Sequence, residues 1–246
     1  MTIFASYVIW FMIYSFIGWI YESGLRSITH RRWYNSGFLN GPYIPIYGAG
    51  AVLDIFFLSS LNDPFLIFLL AAIINCILEY MTGWIMELLF HARWWDYSKK
   101  PLNINGRVYI GGFIAFGLFA MIVVLYFHPW LKAHTTDTMD IYALTIWSAF
   151  IILLIATDTV ITVLAMKDFE EKVEALASAL EEARQHIDDK IDSLPDPDRV
   201  RNILSRFNFA QRRLLNAFPH LKFDDAHYTA EEITAMIKEN TRKLFH

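Results

Sequence analysis

Five apolar stretches, near residues 3–22, 44–61, 65–90, 108–127 and 141–166, constrain this 246-residue chain more than anything else in it. A helix rises 1.5 Å per residue, so about 20 residues cross about 30 Å of hydrocarbon. The expected fold is all-α: a polytopic membrane helix bundle of about five transmembrane helices. The second stretch is the weakest, because Pro45, Gly48 and Gly50 interrupt it and Asp54 sits inside it. A re-entrant or broken helix is the alternative there. The first stretch lacks a basic flank and a small-residue cleavage site, so it reads as a retained helix rather than a signal peptide.

The charges divide the chain. Residues 1–166 carry 8 Lys+Arg and 9 Asp+Glu, and residues 167–246 carry 13 and 16. This predicts a transmembrane domain over 1–166 and a soluble helical tail over 167–246. The composition, 55% hydrophobic and 19% charged, is too apolar for an ordinary soluble domain of this length. The net charge of −4 is not that of a nucleic-acid binder. The single Cys76 excludes an internal disulfide and a Cys-rich metal framework. No Walker-type loop occurs, none of the eight histidines has zinc-ligand spacing, and no serine or cysteine nucleophile arrangement stands out.

Orientation follows from the loops. Arg26, Arg31 and Arg32 follow the first stretch, and Arg93, Lys99, Lys100 and Arg107 follow the third; the other two loops hold only Lys132. Positive residues favour the cytoplasm, so the N-terminus is expected outside and the tail inside. Trp33, Tyr34, Trp94 and Trp95 fall where interfacial aromatics belong. In the tail, Phe169, Val173, Leu176, Leu180, Ala183, Ile187 and Ile191 form a near-heptad seam, read either as intramolecular packing or as a dimerising coiled coil. A second helix is expected near 198–217, basic along Arg206, Arg212 and Arg213, and a third opening at Thr229. Anionic lipid or a solvated face are the two readings of that basic surface.

Ionisable groups at membrane depth carry the functional signal. Asp54, Glu79 and Asp158 lie roughly 12–16 Å deep by helix rise. Glu22, Glu87, Asp96 and Arg107 fall near the cytoplasmic surface. Asn75, Glu79, Gly83 and Glu87 recur every four residues and form one polar stripe. Ser15, Gly18 and Glu22 share a small, polar face of the first helix. Three deep acids without a deep Lys or Arg must be protonated, hydrogen-bonded or solvated. They either form a cation- or proton-handling cavity or lock the helices together.

Two long blocks carry a resemblance. One runs Gly18-Trp19-Ile20-Tyr21-Glu22 and then Gly37-Phe38-Leu39-Asn40-Gly41-Pro42-Tyr43-Ile44-Pro45-Ile46-Tyr47-Gly48. The other holds Glu79-Tyr80-Met81-Thr82-Gly83, Glu87, Trp95-Asp96-Tyr97-Ser98 and Pro101-Leu102-Asn103-Ile104-Asn105-Gly106-Arg107. These, with Gln211 to Pro219, resemble the bacterial ABC-transporter permease family called CmpB-like or type IV. The resemblance implies a multipass protein of the bacterial inner membrane that works with a separate ATPase subunit. A typical translocation path from five spans would need at least a homodimer.

On this reading, substrate or ion is bound by Glu22, Asp54, Glu79, Glu87, Asp96, Asn103, Asn105 and Arg107, supported by Asn75, Tyr47, Tyr97 and Asp158. Carbonyls freed by Gly41-Pro42 and Pro45 would line a site. Asn103 to Arg107 would make an anion-binding turn, a plain helix cap or part of a salt-bridge cluster with Glu22, Glu87 and Asp96. Membrane lipid is an expected partner, and no cofactor is expected. Two alternatives stay open. One is an intramembrane enzyme acting on a lipid headgroup or polyprenyl phosphate, for which alone a divalent cation would serve. The other is a non-catalytic scaffold or regulator working through the helical tail.

Overall fold

In a computed structural model, residues 2–31, 33–166, 169–188, 202–203, 205–218 and 221–223 are described. The chain is helical, and four helices are long and apolar enough to cross a membrane. They are α1 (Thr2–His30), α3 (Pro64–Phe90), the segment Ile110–His134 and α6 (Ile141–Met166). The third of these comprises α4 (Ile110–Ile122), a π-helical stretch Val123–Phe127 and α5 (His128–His134). Pro129 explains the π stretch: in a regular α-helix its ring would collide with the carbonyl four residues back, and a widened turn makes room.

The second apolar stretch departs from expectation. It forms α2 (Pro45–Leu58), 14 residues and about 21 Å long, short of the other four helices. Pro45 occupies its first turn, and Ile44 before it is extended, with its N–H donated to the Ser15 carbonyl at 2.9 Å. Other helix starts are set locally. The Asp63 carboxylate accepts from the N–H groups of Phe65 and Leu66, with Pro64 between them, and Asp140 accepts from Ala143 N–H.

The chain divides into two compact units, residues 1–85 with 96–160, and residues 86–95 with 161–246. Three apolar clusters hold the first. Leu58 packs with Ile67, Ala71, Ala120 and Val124; Ala5 and Ile9 pack with Leu144 and Ile151; Trp10 and Tyr14 pack with Ile55 and Leu131. These contacts gather at one end the starts of α1, α3 and α6 and the far ends of α2 and α5. Large apolar side chains such as Phe57, Phe65, Phe150 and Leu153 stay exposed, as lipid-facing residues of a membrane protein do.

The second unit contains α7 (Phe169–Asp188) and α8 (Phe209–Ala217). Phe169, Val173 and Leu176 of the seam are buried within the chain, and Phe169 meets Phe207 edge to face. The expected second tail helix is interrupted. Asn208 caps α8, its side chain accepting from Gln211 N–H at 2.8 Å while Gln211 returns a bond to Asn208 N–H. Arg213 is buried rather than on an open basic face, and Arg212 donates to the Phe207 carbonyl. Trp94 is not an interfacial anchor: it is 2% exposed, packed edge to face on Phe90 and Phe218. Ala92–Arg93 and Lys222–Phe223 pair as a two-residue antiparallel ladder. The helix expected from Thr229 lies outside the described residues.

Candidate functional site

Within the first unit, α1, α2, α3, α4 and the 96–109 loop border a half-open, mostly apolar cavity of about 420 Å³. Local sequence explains how its polar groups come together. Gly18 of α1 faces the ring of Tyr47, and a Cβ there would overlap that ring. The missing side chain lets Tyr47 lie against α1, where its hydroxyl donates to Glu22 Oε1 at 2.9 Å, one turn beyond Gly18. Gly48 does the same against Ser15 and the Phe11 carbonyl. Gly50 leaves space for the Asn75 side chain. Asn75 then bridges α2 and α3, donating to Asp54 Oδ2 at 2.8 Å and to its own helix at the Ala71 carbonyl.

Glu79 lies one turn from Asn75 on the same face of α3. The Tyr97 hydroxyl approaches its Oε1 at 3.5 Å. Burial, and then the Glu79 carboxylate beside it, hold the Tyr97 phenol above its ordinary pKa, so it stays a donor. Among the buried side-chain atoms of the described residues, two carboxylate oxygens have no hydrogen-bond partner, Asp54 Oδ1 and Glu79 Oε2, and both are shut off from solvent. Asp54 is only 3% exposed. No Lys, Arg or His is among the described residues lining the cavity, while five tyrosines are: Tyr14, Tyr21, Tyr47, Tyr97 and Tyr109. Arg26 acts on Glu22 from one turn further along α1, outside the lining.

The candidate residues therefore separate. Glu22, Tyr47, Asp54, Asn75, Glu79 and Tyr97 share the cavity. Glu87 belongs to the second unit, where it pairs with Arg93 at 3.2 Å. Asp96 is exposed and accepts from Ser98 N–H and Oγ. Asn103 donates to the Ser98 and Lys100 carbonyls and accepts from Gly106 N–H. Leu102, Asn105 and Gly106 adopt left-handed backbone angles, which close this loop on itself. Asn105 donates to the Tyr80 hydroxyl, and Arg107 lies over the Tyr80 ring at 5.2 Å and donates to the same hydroxyl at 3.3 Å.

Asp158 has a different setting. It accepts from Asn40 N–H (3.1 Å), Asn40 Nδ2 (2.9 Å), Gly41 N–H (2.8 Å) and the Tyr43 hydroxyl (2.7 Å). Burial and the bond to Asp158 raise the Tyr43 phenol above its usual pKa. The Gly41-Pro42 turn thus presents amides to an acid of α6. Among the described residues, no group of three His, Cys, Asp or Glu side chains is close enough to hold a metal ion.

The family model described as "Putative ABC-transporter type IV" matches residues 9–163. The chain belongs to this family. The match takes in every helix that lines the cavity, and it ends before the described part of the tail. No curated protein and no solved structure matches the chain. The type IV family thus supplies a membrane and transporter context, and the chemistry must come from the cavity itself. Tyr14, Tyr109, Gly112 and Phe116 also line it, although the sequence had not marked them. The one available signal was the Tyr109 and Gly111-Gly112 run opening α4, which reads as an ordinary helix start.

Proposed function

We propose that the chain is a permease-like component of an ABC-type transporter in the bacterial cytoplasmic membrane, with the acidic cavity as part of its solute path. The single observation that carries this reading is a cavity among apolar helices bordered by Glu22, Asp54 and Glu79, the last two each holding a buried oxygen without a hydrogen-bond partner. A bundle that needed only internal locks would satisfy them, because an unpartnered buried acceptor costs about 1–3 kcal/mol. The family membership supplies the context. A separate ATPase subunit would drive the cycle, and a homodimer would complete the path.

The same geometry supports five crossings with the N-terminus outside. Glu22 and Tyr47, toward the 31–44 loop, line the same cavity as Tyr97 of the 91–109 loop. Both basic loops therefore lie toward one end of the unit. Leu58, at the far end of α2, packs at the other end with Ile67 of α3. A re-entrant α2 would instead send the two basic loops to opposite sides, against the charge rule. On this arrangement the cavity lies toward the cytoplasmic half, and residues 167–246 form a cytoplasmic tail beyond the 1–166 membrane domain.

The test is reconstitution into liposomes with the partner ATPase. ATP-dependent solute flux should fall at least about tenfold in Glu79→Gln, a loss of roughly 1.4 kcal/mol or more in the rate-limiting step, with the protein still folded. Unchanged flux in that variant would remove the cavity from the mechanism and leave the tail-based scaffold reading.

A further inference from the structure

We infer that the cavity is entered from the bilayer, through a window between α1 and the Ile110–His134 segment, and that its occupant is one hydrocarbon chain of a membrane lipid. The inference rests on the permease reading above for the role of the cavity and names the class of molecule that fills it. The helix seams around the cavity differ. α1 meets α2 at Gly18 against Tyr47 and at Gly48 against Ser15, and α2 meets α3 at Gly50 against Asn75. α3 meets α4 at Phe68 against Gly117, with Ala71 and Ala120 in one apolar cluster. Small residues close these three seams by letting the helices approach. In the fourth seam, α1 touches the Ile110–His134 segment through rings, Tyr21 on Phe119 at 5.8 Å and Tyr14 on Phe127 at 6.1 Å between centroids. About 10 Å of α1 separates the two ring pairs. Ile17 lies between them and lines the cavity, yet it is 39% exposed. The other exposed residues of the described lining are Tyr21 and Phe119, which frame the same gap. The cavity therefore opens in this seam.

Depth and chemistry say what passes through it. Ile17 and Val123, which line the cavity at the window, each fall within one helical turn of the midpoint of their spans. The medium at that depth is hydrocarbon. Ile20, Leu118 and Ile122 beside the window are apolar and exposed, so lipid chains already cover this face. Inside, the polar groups are turned to one another. Tyr47 donates to Glu22, the Tyr97 hydroxyl approaches Glu79, and the Tyr14 hydroxyl lies 3.2 Å from His128 Nδ1. The unpartnered oxygens of Asp54 and Glu79 are sealed off. The walls thus present phenol rings and carbon, such as Ile46, Leu78 and Phe116, in a volume of about 420 Å³ that is typical of small-molecule sites. A hydrocarbon chain matches such a lining. A hydrated ion or a polar headgroup would lose its water and find no free hydrogen-bonding atom in exchange.

The experiment is photo-crosslinking of the full chain in vesicles of phosphatidylethanolamine and phosphatidylglycerol. The probe is a phosphatidylglycerol with a diazirine at the middle of one acyl chain, and mass spectrometry locates the adducts. Adducts are expected on the cavity residues Ala51 and Leu78 as well as on the outward Phe57 and Phe150. Ile17→Trp narrows the window and should cut the interior adducts, relative to the outward ones, about tenfold, the effect of losing the burial of about two methylene groups. Ile20→Trp, on the same face but outside the lining, should leave that ratio unchanged. Ala115→Leu, which fills the cavity from α4, should reproduce the loss and stands in if Ile17→Trp fails to fold. Adducts confined to outward residues overturn the inference, whether bulk lipid or a second copy of the chain then covers the window. Interior adducts that persist unchanged in folded Ile17→Trp and Ala115→Leu overturn it as well. The two readings fail separately. ATP-driven flux with outward adducts only ends this inference alone. Interior adducts with no flux beside the partner ATPase end the permease reading alone.

Discussion

Asp54, Glu79 and Asp158 are similar acids that helix rise alone places at similar depth, and their surroundings separate them. Asp158 is the acceptor for two backbone N–H groups, one amide and one phenol, all from the irregular 40–43 segment. That segment forms no helical bonds of its own, so the carboxylate replaces them. Asp158→Ala should lower stability by about 2–3 kcal/mol, the lost charge-assisted bonds being discounted for partial exposure. Asp158→Asn should cost less, because one acceptor oxygen remains. Thermal unfolding in detergent reads both, and a melting temperature equal to that of the parent in Asp158→Ala would contradict the account. None of this was legible locally. The flanking Thr157 and Thr159 are exposed, Thr159 donates to its own helix at Ile155, and the true partners lie more than a hundred residues away.

Among the elements, the α1–α2 pair sets the cavity wall. Gly18 and Gly48 bring the two helices close enough for Tyr47 to reach Glu22. A methyl at Gly48 would meet Ser15 Oγ and the Phe11 carbonyl, and the carbonyl is backbone that cannot turn aside. Gly48→Ala should therefore push α2 away from α1 at a cost of about 1–3 kcal/mol. Gly24→Ala, on α1 with nothing within 4 Å of the new methyl, should stabilise by about 0.5–1 kcal/mol. Opposite shifts of melting temperature are expected, and equal shifts would show that the close approach does not matter. The Ser15, Gly18 and Glu22 face of α1 could be drawn from a 3.6-residue period. The Asn208–Gln211 capping box in the tail was also written in the sequence, as Asn-x-x-Gln before an apolar run, and it was masked by reading 198–217 as one helix.

For the whole molecule, the proposed sidedness sets which loops a reagent outside the cell can reach. With Cys76 replaced by Ser, a single cysteine at Ser98 should react with a membrane-impermeant maleimide only after cells are opened, and one at Thr138 should react in intact cells. Both positions are exposed, so accessibility does not confound the comparison. The reverse pattern would invert the proposed orientation, and labelling of both from one side would reduce the crossings. The boundary between compact units also differs from the charge boundary. Residues 86–95 group with 161–246, because Trp94 packs on Phe218 and Ala92 pairs with Phe223. Neither contact leaves a mark in local hydropathy.

The sequence by itself determined where apolar helices of membrane length occur, which acids fall inside them and which face of each helix they occupy. Those properties depend on the solvent preference of each side chain and on a 3.6-residue period, both read over a few turns. Only the tertiary structure decided that Asp158 is satisfied while Asp54 and Glu79 keep an unmatched oxygen, that Glu87 turns to Arg93, and that α2 is a short wall. Hydrogen-bond partners come from distant segments brought together by packing, and the local pattern of one helix carries no record of what another presents to it.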